Sequence, residues 1–369
     1  MNNDKIFYAH KLKLARNFHG LSLEEVGEQV AATRQYIQQL ESSAKQPSEG
    51  MAAALADALG LDEAFFYVPD LALPSEEECH FRSRQAKTVA LKHQALSQAA
   101  LLEKLVDELD DMLEFPEINI PSIPVNDLNE IEGVAEQVRL EWGLGASGPI
   151  KNMVRAAENA GIIVSYFEGI SEKIDAFSKH GHRPIVIRNP LKESVCRMRF
   201  DIAHECGHLV MHQGKTTGDK QTETEANRFA SAFLLPRAAF VSEFPRTGRR
   251  FNWPALYDMK LRWKVSVAAI VRRAFDLGII DAAAYRRASI HLSKTGQAKK
   301  EHYDDSDLIP QEEPELLNNA VAALEEQAPY MVADLSGRMM VKKVIIERLI
   351  GRAIQSNLEE HDNVVLIRK

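Results

Sequence analysis

Phe200-Asp201-Ile202-Ala203-His204-Glu205-Cys206-Gly207-His208-Leu209-Val210 contains the pattern H-E-x-x-H. On a helix, residues four apart stand one turn above each other, so His204 and His208 can present two imidazoles to one Zn2+. Glu205, next to the first histidine, can then reach a water at that ion. Zinc lowers the pKa of such a water to about 7, and a neighbouring carboxylate can pass its proton to a leaving amine. The flanking Phe200, Ile202, Ala203, Leu209, Val210 and Met211 equally suit a core helix carrying two satisfied histidines. A third ligand separates the two readings.

Downstream, Ala226, Phe229, Ala230, Phe233 and Leu234 recur at spacings of three and four, which predicts a helix with one apolar face ending near Pro236. Glu223 or Glu225 at its start could turn toward the first helix. Two histidines, one glutamate and an open fourth position make a catalytic rather than a structural zinc set. The longer pattern H-E-x-x-H-x-x-G-x-x-H is excluded, because Met211 and Gly214 occupy the places of its glycine and last histidine. His212 is expected at the surface or behind the ligands.

The 369 residues allow two or three domains, and 45% hydrophobic with 27% charged residues is an ordinary soluble composition. No apolar run approaches the roughly 20 residues of a membrane span, and Met1-Asn2-Asn3-Asp4-Lys5 does not read as a signal peptide, so a cytoplasmic protein is expected. Cys79, Cys196 and Cys206 form no C-x-x-C pair, which argues against a disulfide framework or thiolate zinc site. The net charge of -8 argues against wholesale nucleic-acid coating but leaves room for a local DNA-reading surface.

Residues 5–69 form the first expected domain. A helix covers Ile6 to Arg16, Ser22 caps a second, and Thr33 caps a third running from Arg34 to Glu41, with Val26, Val30, Ile37 and Leu40 as shared core. From about Leu12 to Tyr67 the stretch resembles the helix-turn-helix domain of Xre (Cro/cI-like) regulators. The resemblance implies that Thr33, Arg34, Gln35, Tyr36, Gln38 and Gln39 lie at or near double-stranded operator DNA. Arg34, Gln35 and Gln39 are the expected base readers, since Arg pairs with guanine and Gln with adenine in the major groove. Basic and acidic residues are equally numerous over positions 1–50. Phosphate attraction alone is therefore weak, and binding as a homodimer to two half-sites is expected.

Residues 70–127 read as a linker and a connecting or dimerising helix from His80 to Leu113, closed by Pro116, Pro121 and Pro124. Arg82 and Arg84 read as its solvated start. In the next region, 128–293, helices are expected over Leu128–Leu144 and from Gly148 to Asn159. Strands are expected at Gly161–Phe167, Ile174–Ser178 and Pro184–Arg188, with His180 and His182 at an exposed hairpin tip. A free edge of that sheet would let an extended peptide add as a strand beside the H-E-x-x-H helix.

Gly148-Pro149-Ile150, Ile174-Asp175-Ala176-Phe177-Ser178, the stretch Arg197 to His208 and Glu223 to Pro236 together resemble the ImmA/IrrE family of zinc metallopeptidases over about 130–290. That resemblance implies a zincin-like core in which His204 and His208 bind zinc, Glu205 is the general base and a glutamate on the next helix is the third ligand. Glu225 takes that role by its place before Ala226-Asn227, with Glu223 as the alternative. Family members cleave Xre-type repressors, so a repressor or antitoxin is the implied protein substrate. A helical pair over Trp253–Ala274, capped at Ser266, resembles the family's small helical subdomain. Its Arg262, Lys264, Arg272 and Arg273 read as solvated charges on a support.

Residues 294–369 are expected to be a polar linker, through about Pro314, and a C-terminal domain of unassigned role with two helices and a strand at Asn363–Ile367. The expected fold class is mostly α with a small β-sheet (α+β). It comprises an N-terminal helix-turn-helix bundle, a metallopeptidase core and a C-terminal helical region. The expected function is a DNA-binding regulator with a zinc-dependent endopeptidase. The alternative is a non-catalytic transcription factor that uses the same fold to sense a metal, peptide or partner, as in a toxin–antitoxin or phage-defence system.

Overall fold

The computed structural model describes residues 6–69, 79–81, 89–166, 176–188, 194–215, 217–245 and 251–355. It is mostly helical with one small sheet, as expected. The chain divides into two compact units. One holds Met1–Leu73, Ala100–Glu114 and Leu316–Lys369; the other holds Pro74–Ala99 and Phe115–Glu315. Among the described residues no helix is long and apolar enough to cross a membrane.

The first unit opens with α1 (Ala9–Phe18), α2 (Leu23–Gln29), α3 (Arg34–Glu41) and α4 (Glu49–Ala58), followed by a 3-10 helix at Glu63–Tyr67. Ser22 and Glu25 form a reciprocal capping box at the start of α2. Thr33 accepts a hydrogen bond from the Tyr36 N–H (3.2 Å) at the start of α3. The α2–α3 turn is tight, because a Cβ at Gly27 would sit 2.6 Å from the Ala32 carbonyl oxygen. Val26, Ile37 and Leu40 are fully buried. Arg16 locks α1 to α3 through both Glu41 carboxylate oxygens at 2.6 and 2.9 Å.

In the second unit, β1 (Cys79–Phe81) precedes α5 (Val89–Asp110), whose second half belongs to the first unit. The helix expected from His80 therefore starts later. Cys79–Phe81 instead satisfy their backbone groups as a strand. Arg82 and Arg84 lie outside the described residues. Next come α6 (Ile131–Glu141) and α7 (Met153–Asn159). The helix read from Gly148 begins only at Met153, because Asn152 caps it and buried arginines hold the preceding carbonyls. Arg139 donates to the Gly148 oxygen (2.6 Å) and Arg199 to the Ile150 oxygen (2.7 Å).

Strands β2 (Ile163–Tyr166), β3 (Ala176–Lys179) and β4 (Ile185–Arg188) complete a sheet of order β1-β3-β4-β2. β2 runs parallel to β4, and β3 is antiparallel to both β4 and β1. The sheet expected from three strands thus has a fourth, β1, paired along one edge of β3. Against this sheet lies α8 (Val195–Met211), nearly every residue of which is buried, and α9 (Lys220–Leu234) packs along it. A Cβ at Gly207 would come within 3.0 Å of the Phe229 ring, so this close approach uses a glycine in mid-helix. α10 (Arg237–Glu243), α11 (Trp253–Trp263), α12 (Val267–Asp276) and α13 (Ala282–Lys294) follow, with Ser266 capping α12.

Among the cations of this helical region, Arg262, Lys264, Arg272 and Arg273 each have an internal partner. Arg273 is fully buried against both Glu132 oxygens at 2.5 and 2.7 Å, while Arg262 pairs with Glu243 and Arg272 with Asp276. Lys264 donates to the Lys151 carbonyl (2.7 Å).

The acidic stretch after α13 is not a free linker. Glu301 is buried, accepting from Lys260 (3.0 Å) and from the Val267 and Ala268 N–H groups (2.8 and 2.9 Å) that open α12. Asp304 accepts from Lys260 (2.6 Å) and from Ser194 (3.2 Å), the residue before α8. Glu312 is buried too, ion-paired to fully buried Arg199 and bonded to the Met153 N–H (2.7 Å). Carboxylates that look solvated in sequence are the fastenings of a strap across this unit.

The remaining helices, α14 (Leu316–Gln327), α15 (Pro329–Met339) and α16 (Lys343–Ile350), return to the first unit. A bridge joins Leu61 to Val341, the Lys342 N–H bonds the Gly60 oxygen (2.8 Å), and Arg348 covers the Phe18 ring at 4.9 Å. The strand expected at Asn363–Ile367 lies outside the described residues.

Removing one partner of a buried ion pair strands the other charge. Glu312→Ala is therefore expected to lower the unfolding free energy by about 3–5 kcal/mol, measured by urea denaturation. The same change at neighbouring, exposed Glu313 should cost less than about 0.5 kcal/mol.

Candidate metal centre

His204 and His208 occupy successive turns of α8, both essentially without solvent exposure, with ring centroids 4.7 Å apart. Their Nε2 atoms face each other at 3.1 Å. Glu223, on the first turn of α9, brings one carboxylate oxygen to 3.6 Å from His204 Nε2 and the other to 3.5 Å from His208 Nε2. These three residues form the one His/Cys/Asp/Glu group among the described residues that could hold a metal ion. A tetrahedral zinc site with bonds of about 2.0–2.2 Å separates its ligand atoms by about 3.3–3.6 Å. The observed triangle is close to that.

Hydrogen-bond logic around the histidines points the same way. Asn227 spends its amide N–H on the Glu223 carbonyl (2.6 Å), so its Oδ1 faces His204 Nδ1 at 3.2 Å as an acceptor. His204 therefore carries its proton on Nδ1 and a lone pair on Nε2. On the other side, Glu225 Oε2 accepts from His212 Nε2 at 2.8 Å, and His212 Nδ1 lies 2.9 Å from His208 Nδ1. A carboxylate only accepts, so neutral His212 donates to Glu225 and accepts from His208. His208 is then also left with an unprotonated Nε2. Burial favours the neutral form of His212 and lowers its pKa from the ordinary value, opposed by its bond to Glu225. Two lone pairs at 3.1 Å repel unless a cation lies between them. The donor set therefore fits a divalent metal of the zinc type.

Glu225, the glutamate expected as third ligand, reaches the centre through His212 and is further held by Gln221 (2.9 Å). Glu223 stands with the histidines instead. The difference is one of helix phase: positions 223 and 227 share a face of α9, and 225 points about 200° away along the turn. His212, expected near the surface or behind the ligands, is fully buried behind His208.

Glu205 is fully buried, and its Oε2 accepts a hydrogen bond from Ser178 on β3 at 2.6 Å. His180 is half-buried rather than at an exposed tip. Burial lowers its pKa, opposed by a bond to the His208 backbone. His182 is exposed. Cys206, fully buried on α8, is pushed well above the ordinary thiol range by burial and then by Glu205. On α3, Thr33, Arg34, Gln35 and Gln38 are exposed, and Tyr36 and Gln39 are partly buried.

Residues 157–275 match the family model described as the IrrE N-terminal-like domain, and residues 8–64 match a helix-turn-helix domain model. The chain joins a helix-turn-helix domain to an ImmA/IrrE-type domain. No curated protein matches it. The ImmA/IrrE-type match contains β2 to β4, α8 and α9, and so all three members of the metal group. Its peptidase-type character agrees with the H-E-x-x-H helix.

Ser178 and Asn227 escaped sequence reasoning. Asn227 was detectable, since it lies one turn after Glu223 on the same face; Ser178 was not, because its bond to Glu205 spans the packing of a strand on a helix.

Substituting the two glutamates separates their roles. Glu223→Ala is expected to abolish stoichiometric metal binding. Glu225→Gln, which disturbs only the histidine relay, should weaken it about 10–100-fold. Competition against a chromogenic chelator measures both, and the opposite ranking would exchange the assignments.

Proposed function

We propose that this chain is a DNA-binding transcriptional regulator whose second unit is a zinc-dependent endopeptidase acting on a partner protein. The observation that carries the reading is the pair of inward-facing Nε2 atoms on α8, closed by Glu223 and accompanied by Glu205. Zinc, when bound by His204, His208 and Glu223, supplies a Lewis acid for the scissile carbonyl and makes a water more acidic.

The chain's own groups do the rest. Glu205 takes the proton of the attacking water on a carboxylate oxygen and gives it to the leaving amine. Ser178, donating to Oε2, orients that carboxylate and directs the proton to its other oxygen, Oε1. Asn227 and the His212–Glu225 pair keep the ligand histidines in the tautomer that offers Nε2. The products are a new carboxylate and a new amine.

In the first unit, exposed Arg34 and Gln35 are the base-reading residues, with Gln39 beside them, and Thr33, Tyr36 and Gln38 border the phosphates. Binding as a homodimer in the cytoplasm, and a repressor or antitoxin as substrate, complete the reading.

Purified protein is expected to hold about one zinc per chain by elemental analysis. Glu205→Gln should keep the zinc and the fold while cleavage of a repressor encoded beside it falls about 10²–10⁴-fold, followed by mass spectrometry. Undiminished cleavage by that variant would sink the mechanism. Arg34→Ala should weaken binding to a DNA site selected by enrichment by about 1–3 kcal/mol, read by gel shift, and leave zinc content unchanged.

A further inference from the structure

Strand addition needs an open sheet edge beside the reacting groups. In this unit the strand that reaches the candidate centre is β3, through the Ser178–Glu205 bond. One side of β3 is paired with β4, and the other with Cys79–Phe81 in antiparallel register: Cys79 opposite Lys179, His80 opposite Ser178 and Phe81 opposite Phe177. The residue directly across from the Glu205 partner is thus one of the chain's own, His80. We propose that Cys79–Phe81 is a built-in occupant of the peptide-binding edge, paired where an extended segment of a protein substrate would pair, and that it must leave β3 before such a segment can enter. The inference rests on the endopeptidase reading of this centre.

The size and position of β1 favour an occupant over a permanent sheet member. Three residue pairs form a short ladder, at the lower end of the usual strand length. The opposite edge of the sheet is built differently: β2 pairs with β4 over four residues in parallel and continues from α7. β1 instead comes from the stretch between the helix-turn-helix match and α5, remote in sequence from β3. A segment tethered in this way competes with a free peptide at an effective concentration of roughly mM. If it is docked in about nine molecules of ten, the apparent affinity for an incoming peptide is reduced about tenfold.

The register also provides a lock. Antiparallel partners lie about 4.5–5.5 Å apart at Cα, within the range of about 4.4–6.8 Å that a disulfide spans. Lys179→Cys therefore places a thiol opposite native Cys79. The other two cysteines are buried and so shielded from oxidant.

The test uses the full-length protein as purified, carrying Glu205→Gln so that binding is read without cleavage, and a fluorescent synthetic peptide of residues 76–84 as probe. Replacing Cys79, His80 and Phe81 together by proline removes every N–H donor of the strand. Peptide affinity by anisotropy is expected to rise about tenfold or more, with faster hydrogen exchange within Phe177–Lys179. In the Lys179→Cys variant, oxidation to a mapped crosslink between Cys79 and the introduced thiol is expected to abolish peptide binding, and reduction to restore it. Equal peptide binding by parent, proline variant and crosslinked protein would overturn the proposal, as would a peptide that binds none of them. The crosslink result decides the matter if the proline variant does not fold. Zinc content and wild-type cleavage, measured separately, report on the endopeptidase reading itself.

Discussion

Two imidazole nitrogens on buried histidines, each stripped of its proton by what lies behind it, face one another at 3.1 Å. That arrangement is unfavourable unless a cation joins it, and much of the second unit is built to hold it. Asn227 and the His212–Glu225 pair fix the tautomers from behind, on opposite sides. Gly207 lets α9 approach α8 closely enough for Glu223 to close the triangle, since any side chain there would press on Phe229.

Rigidity around α8 comes from buried charge. Arg199, within the helix, is gripped by Glu312 and the Ile150 carbonyl; Ser194, just before it, bonds Asp304; Lys260 gathers Asp304 and Glu301, and Glu301 caps α12. Buried ion pairs add little net stability, but their directional bonds permit few alternative packings. Here they also recruit a stretch of chain with no secondary structure of its own to brace the helix that carries the candidate ligands.

Much of the site was legible because helices repeat locally. His204, Glu205 and His208 follow from a four-residue spacing, the α2 and α3 caps from Ser22 and Thr33, and the α11–α12 turn from Ser266. The choice between Glu223 and Glu225 was not, because a two-residue difference on a helix is a difference of direction, and direction matters only once α9 is docked. The acidic residues 301, 304 and 312 read as solvent-facing for the same reason: their cations, Lys260 and Arg199, are 41 to 113 positions away.

What sequence alone determined is the chemistry each local segment can offer: a helix with two candidate metal ligands, a capped helix-turn-helix carrying Arg34 and Gln35, and short apolar strands. Caps and periodicity act within a few residues, so a single sequence suffices to read them. Tertiary structure decided which glutamate faces the histidines, that Ser178 holds Glu205, that α14–α16 join the helix-turn-helix unit, and that Cys79–Phe81 lies on the β3 edge. Each of those is a meeting of surfaces distant in the chain, selected by burial and by the need to pair every backbone and charged group, and no local pattern encodes it.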